Sequence, residues 1–234
     1  KNSGGSIMAK QELYERSPIR IFDEAANGGL KAGELGLVTA KKGLGKTSVL
    51  VQFGMDTLLN GKQLVHVSFN QHSENVISWY DGIYNEISKK KAIANAADVK
   101  EQILRNRTIL NFNQDNISLE KVVNTLNALK AGGTAVAGVV IDDVDFSKVK
   151  EADLQTVASY AKATKTKIWF SSTSAGDKLE DSAPKALLPY FSAVIHLSSK
   201  NSVTQLSILK MGKNTDIETT LKLDSKTLLI TNNK

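Results

Sequence analysis

Residues 35–52 have the sequence LGLVTAKKGLGKTSVLVQ, and the architecture of the whole chain follows from them. The apolar residues 35–38 predict a buried β-strand, residues 40–45 predict a tight turn, and a helix is expected to begin near Lys46. A strand, a glycine-rich turn and a helix in this order direct backbone N–H groups and a helix N-terminus at one point. The stretch therefore predicts a binding site for phosphate groups.

The turn nearly matches the Walker A consensus G-x-x-x-x-G-K-[ST]. Lys46 is placed to reach the β- and γ-phosphates of a nucleoside triphosphate, and the Thr47 hydroxyl is placed to bind Mg²⁺. Ala40 stands where the first glycine is expected. We predict that ATP and Mg²⁺ bind here, and the alternative is a glycine-rich turn that binds nothing. The predicted nucleotide-binding residues are Lys41, Lys42, Gly43, Leu44, Gly45, Lys46, Thr47 and Ser48.

Length and composition favour one α/β domain. Of the 234 residues, 41 % are apolar, which is enough for one large core. We expect residues 1–7, which contain Ser-Gly-Gly-Ser, to be an added linker and residues 8–234 to form a single ATP-binding domain. The absence of cysteine excludes disulfides and thiolate metal sites. The apolar runs are only as long as strands, and no signal peptide is visible, so we expect a cytoplasmic protein without membrane insertion.

The net charge of +6 would allow contact with nucleic acid. However, the lysines are scattered along the chain. The densest run, Lys89–Lys91, follows a predicted helix, where a solvated helix end is the simpler interpretation. Because no basic stripe is interleaved with aromatic residues, nucleic-acid binding is kept only as a weaker alternative.

Strands and helices alternate along most of the chain, which predicts a parallel sheet covered by helices. Further strands are predicted at residues 64–69, 108–112, 137–141 and 167–172. From residue 193 onward, short alternating segments separated by turn residues predict antiparallel strands that extend the sheet. The predicted fold class is therefore α/β, with a mostly parallel twisted sheet flanked by helices and with C-terminal antiparallel strands.

The sequence VVIDD at residues 139–143 is a second chemical signal, of the Walker B type. Asp142 ends a buried strand, so its carboxylate is expected at the carboxyl edge of the sheet, where it can hold Mg²⁺ through a water. Asp143 and Asp145 are neighbours that can contribute. The alternative interpretation is a core strand that ends in a solvated acidic turn.

The strand at residues 167–172 ends in hydroxyl side chains. Ser172 is the candidate sensor of the γ-phosphate, with Ser171 and Thr173 beside it. Serines at strand ends are common, so a purely structural role is the alternative.

Together these residues resemble the RecA-like ATPases, and the KaiC-like branch most closely. The likeness covers residues 17–215 and rests on GGLKAGELGLVTAKKGLGKTSVLVQFG, LVHVSF, VVIDD, and VIHL followed by LSILKMG. The Gly-Gly-Leu-x-x-Gly-Glu segment at residues 28–34 argues against the MinD and ArsA type of loop, which Lys41 would otherwise suggest. The resemblance implies a RecA-like P-loop NTPase core, ATP and Mg²⁺ as ligands, and a homo-oligomer or a protein partner.

Two positions depart from the pattern of this family. Its members carry one or two glutamates after the strand that aligns with LVHVSF, and a carboxylate there polarises the attacking water. Here the positions hold Asn70 and Gln71. An amide cannot accept a proton from water, and such base assistance is worth about 10²–10⁴-fold. Glu74 is the nearby carboxylate that could substitute, and no residue is assigned as catalytic.

The second departure concerns the family's Lys-x-Arg, which reaches the γ-phosphate in a neighbouring subunit. Lys210 keeps the lysine, but Gly212 replaces the arginine. Where arginine fingers operate they are worth about 10³–10⁵-fold. The leading hypothesis is therefore an ATP-binding regulatory or assembly protein with slow or no hydrolysis. The alternatives are an active ATPase, either a motor or a DNA-acting recombinase- or helicase-like enzyme, that uses another carboxylate, and a nucleic-acid-binding relative of the recombinases.

Overall fold

A computed structural model describes residues 3–69, 72–89, 92–112 and 118–232. The helices in these ranges are α1 (Ser3–Glu15), α2 (Pro18–Ala25), α3 (Lys46–Leu59), α4 (Ser73–Ser88), α5 (Ala96–Leu104), α6 (Leu119–Ala131) and α7 (Glu151–Thr164). Short 3₁₀ turns lie at Phe146–Lys148, Leu179–Asp181 and Leu188–Tyr190. Within the described part of the chain, no helix has the length and apolar character needed to cross a membrane.

The strands are β1 (Leu35–Ala40), β2 (Gln63–Ser68), β3 (Arg107–Asn111), β4 (Val136–Ile141), β5 (Lys167–Thr173), β6 (Phe191–Lys200), β7 (Val203–Met211), β8 (Asn214–Ile217), β9 (Leu221–Leu223) and β10 (Ile230–Asn232). They form one sheet in the order β10-β9-β7-β6-β1-β5-β4-β2-β3, and β8 pairs with β7. The pairings from β6 to β3 are all parallel. The predicted fold class is confirmed, because a mostly parallel sheet flanked by helices ends in C-terminal antiparallel strands.

One part of the strand prediction was wrong. β6 was expected to be antiparallel, but it pairs in parallel with β1 and becomes antiparallel only to β7. The reason is the connection before it. The chain between β5 and β6 contains two 3₁₀ turns and is long enough to return to the starting edge of the sheet, so β6 runs in the same direction as β5.

The side chains of the sheet divide into two hydrophobic layers, because successive residues of a strand face opposite sides. One layer lies against α3 and contains Phe53 and Trp169, whose rings stack with centroids 4.0 Å apart. The other lies against α6 and α7 and contains Phe170, which packs edge-on against Phe191. Gly36 is needed in β1, because a Cβ there would lie 2.4 Å from the Trp169 ring. The helix that follows the phosphate loop is thus fixed by close packing on β1 and β5.

The N-terminal segment belongs to the folded body. α1 begins at Ser3, and Ser6 donates a hydrogen bond to Gln102 in α5 at 2.7 Å. Leu13, further along α1, is fully buried in the layer against α3. The structure therefore includes residues that the sequence analysis left outside the fold. That residues 1–7 are an added linker stays a prediction.

A buried histidine connects β2 with α4. His66 is 0 % exposed, and its Nδ1 lies 2.9 Å from the Tyr80 hydroxyl. The Arg107 guanidinium lies over the Tyr80 ring at 5.2 Å. Burial, and secondly the positive charge of Arg107, lower the pKa of His66 to about 4. The folded protein therefore holds His66 neutral.

We predict that the protein loses stability as the pH falls from about 6.5 to about 4. The unfolded chain takes up a proton on His66 near pH 6.5, whereas the folded chain does so only near pH 4, so acid favours the unfolded state. The full effect of this group is about 3 kcal/mol. Urea unfolding of wild type and of His66→Gln over this pH range measures the effect. The free energy of unfolding should fall less steeply with falling pH in the variant than in wild type. His72→Gln, at an exposed histidine, is the control. Equal slopes for wild type and His66→Gln would contradict the assignment.

Candidate nucleotide-binding site

The turn between β1 and α3 has the backbone of a phosphate-binding loop. Gly43 and Gly45 have φ values of 87° and 103°, in the left-handed region that favours glycine. Nothing lies within 4 Å of a Cβ built on Gly43, so glycine is required there by the backbone and not by space. Ala40, at the position of the missing first glycine, is the last residue of β1 and has regular strand pairing. The substitution is therefore accommodated without strain.

A cleft of about 560 Å³ opens where this loop meets the carboxyl ends of β4 and β5. Its volume is within the range of small-molecule sites. The loop, the two strand ends, α4 and the C-terminal region all contribute to its walls, through Lys42, Gly43, Leu44, Gly45, Lys46, Thr47, Ser68, Trp79, Asp142, Asp143, Thr173, Thr204 and Leu228. Both predicted chemical signals, Walker A and Walker B, thus meet in one place.

Lys46 extends across the cleft toward β5. Its ammonium donates a hydrogen bond to the Thr173 hydroxyl at 3.2 Å. Burial lowers the pKa of Lys46, and the carboxylates of Asp143 and then Asp142 act in the opposite direction. The lysine is therefore fixed at the first turn of α3, facing the space that a bound phosphate would take.

Asp142 joins three elements of the site. Thr47 in α3 donates to Oδ2 of Asp142 at 2.9 Å, and Ser171 in β5 donates to Oδ1 at 2.5 Å. Asp142 is 4 % exposed. Burial raises its pKa, while the hydrogen bonds from Ser171 and Thr47 lower it. A hydroxyl and a carboxylate placed together are oxygen donors of the kind that Mg²⁺ prefers, so this pair could hold a magnesium ion.

The remaining loop residues are less closely involved. Lys41 is exposed and lies outside the described wall of the cleft. Ser48 is fully buried, and its hydroxyl donates to the Leu228 carbonyl at 3.3 Å. Of the eight predicted nucleotide-binding residues, six line the cleft and these two do not.

Ser172, the candidate sensor, lies on the other side of β5. Its neighbours Ser171 and Thr173 share the face that carries Asp142 and Lys46, and alternation along the strand turns Ser172 away from them. Of the three hydroxyl residues at this strand end, Thr173 is the one that contacts Lys46. That Ser172 senses the γ-phosphate stays a prediction.

Among the described residues, the candidates Glu74, Asp145 and Lys210 do not line the cleft. Asn70 and Gln71 lie outside the described residues. Glu74 is exposed in the first turn of α4, and the described cleft wall does not include it. Asp145 is exposed and accepts hydrogen bonds from the backbone and hydroxyl of Ser147. Lys210 lies in β7 with its ammonium 3.5 Å from the Leu188 carbonyl, and its role toward a neighbouring subunit stays a prediction.

Sequence reasoning missed the contribution of the C-terminal region. The Leu228 carbonyl accepts a hydrogen bond from Gln52 Nε2 at 2.9 Å, and the Ile230 N–H donates to Gln52 Oε1 at 2.8 Å. The turn between β9 and β10 is thereby held on α3, and Leu228 becomes part of the cleft. No local pattern could reveal a contact between residues 176 positions apart.

The fold and the cleft define a P-loop nucleotide-binding protein with a RecA-like core. A comparison with protein-family models matched residues 16–166 to the model described as the KaiC ATPase. The match spans more than half of the chain, and the chain therefore belongs to the KaiC family of ATPases. A comparison with curated proteins found no match. The resemblance inferred from the motifs is confirmed, and the protein is an ATP-binding protein of the RecA/KaiC type.

We predict that Lys46→Ala weakens ATP binding by about 100-fold, because a charged hydrogen-bond donor to phosphate contributes about 1.5–3 kcal/mol. Equilibrium dialysis with labelled ATP measures the affinity. Lys41→Ala removes the same charge from an exposed position of the same loop and should change the affinity little. An equal loss of affinity in both variants would contradict the placement of Lys46, and not Lys41, at the phosphate site.

We further predict that Ser171→Ala raises the Mg²⁺ concentration needed for ATP binding by about 5- to 10-fold. The same change should lower the free energy of unfolding by about 1–2 kcal/mol. The change removes the hydrogen bond to Asp142 and the one that the Asp143 N–H donates to Ser171 Oγ. Titration of ATP binding with Mg²⁺ is the measurement. Ser172→Ala, on the opposite face of the same strand, is the matched control, and a larger effect there would contradict the role given to Ser171.

Proposed function

We propose that this protein is a nucleotide-dependent regulatory or assembly component, which binds ATP with Mg²⁺ in the cleft and hydrolyses it slowly or not at all. The observation that carries the proposal is the meeting of Lys46, Thr47, Asp142 and Thr173 at the phosphate loop. These groups come from three elements, and each is of the type that a triphosphate with magnesium requires. A glycine-rich turn without a ligand would need none of them.

Each residue has a defined task in binding. The N–H groups of the loop and the N-terminus of α3 hold the phosphates, and Lys46 neutralises their charge. Thr47 would bind the magnesium ion directly and Asp142 would hold it through a water. The ion would supply positive charge that neutralises part of the negative charge of the phosphates. Because Thr47 and Asp142 already contact each other, both side chains are preorganised for this role.

Slow hydrolysis is supported by the residues that stand at the family's functional positions. Asn70 and Gln71 are amides by sequence, and Gly212 replaces the arginine of Lys-x-Arg. Glu74 is exposed in α4 and stands apart from the described wall of the cleft. The missing glutamate and the missing arginine affect different parts of the transition state. The first would act on the attacking water and the second on the charge of the phosphate.

A regulatory role is supported by the link between α3 and the C-terminal strands. Gln52 is fully buried and binds both Leu228 and Ile230, while Ser48 adds a further hydrogen bond. The helix that receives the phosphates is therefore joined by hydrogen bonds to the turn between β9 and β10. Occupancy of the loop would stabilise this part of the sheet, where a second copy of the chain or a protein partner would bind.

The proposal keeps one alternative, an ATPase with faster turnover that acts as a motor or on DNA. The observation in its favour is Asp143, a carboxylate that lines the cleft although the family's glutamate positions carry amides. The scattered lysines give no separate support for nucleic-acid binding. Cytoplasmic location stays a prediction.

The two alternatives are separated by incubating the purified protein with Mg²⁺ and ATP labelled on the γ-phosphate, and following retained nucleotide and released phosphate over hours. We predict retention close to one nucleotide per chain and turnover far below the 1–10³ per second that is typical of enzymes. Lys46→Ala, with its expected loss of about 100-fold in affinity, should retain much less nucleotide. Sustained turnover of about 1 per second or more would favour the active ATPase.

The same samples test the regulatory role. Size-exclusion chromatography with light scattering, with and without ATP, should show a change in mass if the nucleotide controls assembly. Hydrogen exchange of residues 221–232 should slow when ATP is bound and should not change in Lys46→Ala. If ATP binds but neither the mass nor the hydrogen exchange changes, the C-terminal strands do not respond to the nucleotide. The regulatory part of the proposal would then be wrong.

A further inference from the structure

A second carboxylate faces the cleft directly after the Walker B aspartate. Asp143 lines the cleft together with Asp142, Lys46 and Thr173. In a regular strand, two consecutive side chains would face opposite sides of the sheet. Asp143 has a φ of 58°, in the left-handed region, and this backbone turn accompanies the end of β4. Both aspartates can therefore face the same cleft.

The turn at Asp143 is held in place by β5. The Asp143 N–H donates to the Ser171 hydroxyl at 2.8 Å, and the Val144 N–H donates to the Ser171 carbonyl at 2.8 Å. The same Ser171 hydroxyl donates to Asp142. A non-glycine residue in this region of backbone space costs energy and persists where its surroundings fix it, often at functional sites. The backbone at Asp143 is thus held by the same serine that orients Asp142.

The two carboxylates differ in what they are available to do. Asp142 is buried, and both of its oxygens accept hydrogen bonds, from Thr47 and Ser171. Asp143 is exposed to solvent at the cleft. Asp143 lines the same cleft as Lys46, the residue expected to reach the β- and γ-phosphates. Because its side chain is exposed there, the Asp143 carboxylate is open to solvent on the side of the site that carries Lys46.

We propose that Asp143 orients the water that attacks the γ-phosphate, a task that the family gives to a glutamate after β2. This inference rests on the proposed function, because it needs ATP in the cleft. The Asp143 carboxylate accepts a hydrogen bond from the water. The water oxygen forms a bond to the γ-phosphorus while the bond from that phosphorus to the β,γ-bridging oxygen breaks. ADP leaves with the electron pair, and both protons of the water stay on the released phosphate, which forms as dihydrogen phosphate.

The side chain is short, which fits the slow turnover proposed above. A loose transition state for phosphoryl transfer needs a positioned water more than it needs a strong base. One carboxylate that orients the water, without an arginine at the position of Gly212, supplies only part of the usual assistance. The structure therefore accounts for both a retained and a weakened hydrolytic activity.

The test uses Asp143→Gly, because glycine adopts a positive φ without strain and the backbone bonds to Ser171 can persist. We expect hydrolysis to fall by at least about 30-fold while the affinity for ATP stays within about threefold. Asp143→Asn keeps an acceptor oxygen, so its rate of hydrolysis should lie between those of wild type and Asp143→Gly. Asp145→Asn is the matched control, because this exposed aspartate bonds to Ser147 and not to the cleft.

A second readout does not depend on turnover. ADP with aluminium fluoride and Mg²⁺ imitates the transferring phosphate together with its attacking water, so it should bind wild type more tightly than ADP alone does. In Asp143→Gly, the affinity for ADP with aluminium fluoride should fall at least about tenfold, while the affinity for ADP alone stays unchanged. A purely structural role of Asp143 would instead lower the melting temperature and weaken both ligands equally.

The outcomes separate the inference from the proposed function. If wild type retains no ATP, the proposed function and the inference both fail. If wild type binds ATP but releases no phosphate over hours, or if Asp143→Gly hydrolyses at the wild-type rate, the inference is overturned and nucleotide binding stands. A loss of hydrolysis and of aluminium fluoride binding in Asp143→Gly, with intact ATP binding and a normal Asp145→Asn, supports it.

Discussion

The hydrogen bonds to the Asp142 carboxylate join the three elements on which the site depends. One oxygen is bound by Thr47 at the start of α3 and the other by Ser171 near the end of β5, while Asp142 itself directly follows β4. These contacts are possible only because β4, β5 and β1 are neighbouring parallel strands whose carboxyl ends meet at one edge. The order of the strands, which parallel pairing and short connections restrict, therefore decides that the phosphate loop and the aspartate meet.

The phosphate loop itself is held by packing beneath it. α3 follows the loop directly, and its Phe53 stacks on Trp169 of β5 at 4.0 Å. Gly36 leaves room in β1 for that tryptophan. A loop whose ends are both anchored in a closely packed layer loses little further conformational entropy when it binds a ligand. The unusual Ala40 fits the same account, since it is the last residue of a regular strand and needs no glycine.

Membership in the KaiC family gives the site its general chemistry, and the departures give this chain its particular character. The loop lysine, the threonine and the strand-end aspartate are all present and in contact with one another or with β5. The family's glutamate and arginine positions are changed in the sequence. We therefore propose that binding energy is retained while assistance to the chemical step is reduced. Such a balance suits a protein whose bound nucleotide is a signal, because slow hydrolysis prolongs the bound state.

Local sequence was sufficient for much of this fold. Residues 35–52 predicted β1, the loop and α3, because an apolar strand, two glycines with left-handed backbone and a helix start leave few other conformations. The strand that ends at Asp142 was predicted in the same way. The tertiary structure alone decided which face of β5 carries the contacts of the site, since a shift of one residue along a strand reverses the side on which a side chain lies. It also decided the parallel direction of β6 and the contact of Leu228 with Gln52, because both depend on how a distant part of the chain returns to the sheet. Short-range patterns fix the backbone of a segment, whereas packing between segments far apart in sequence fixes which side chains meet.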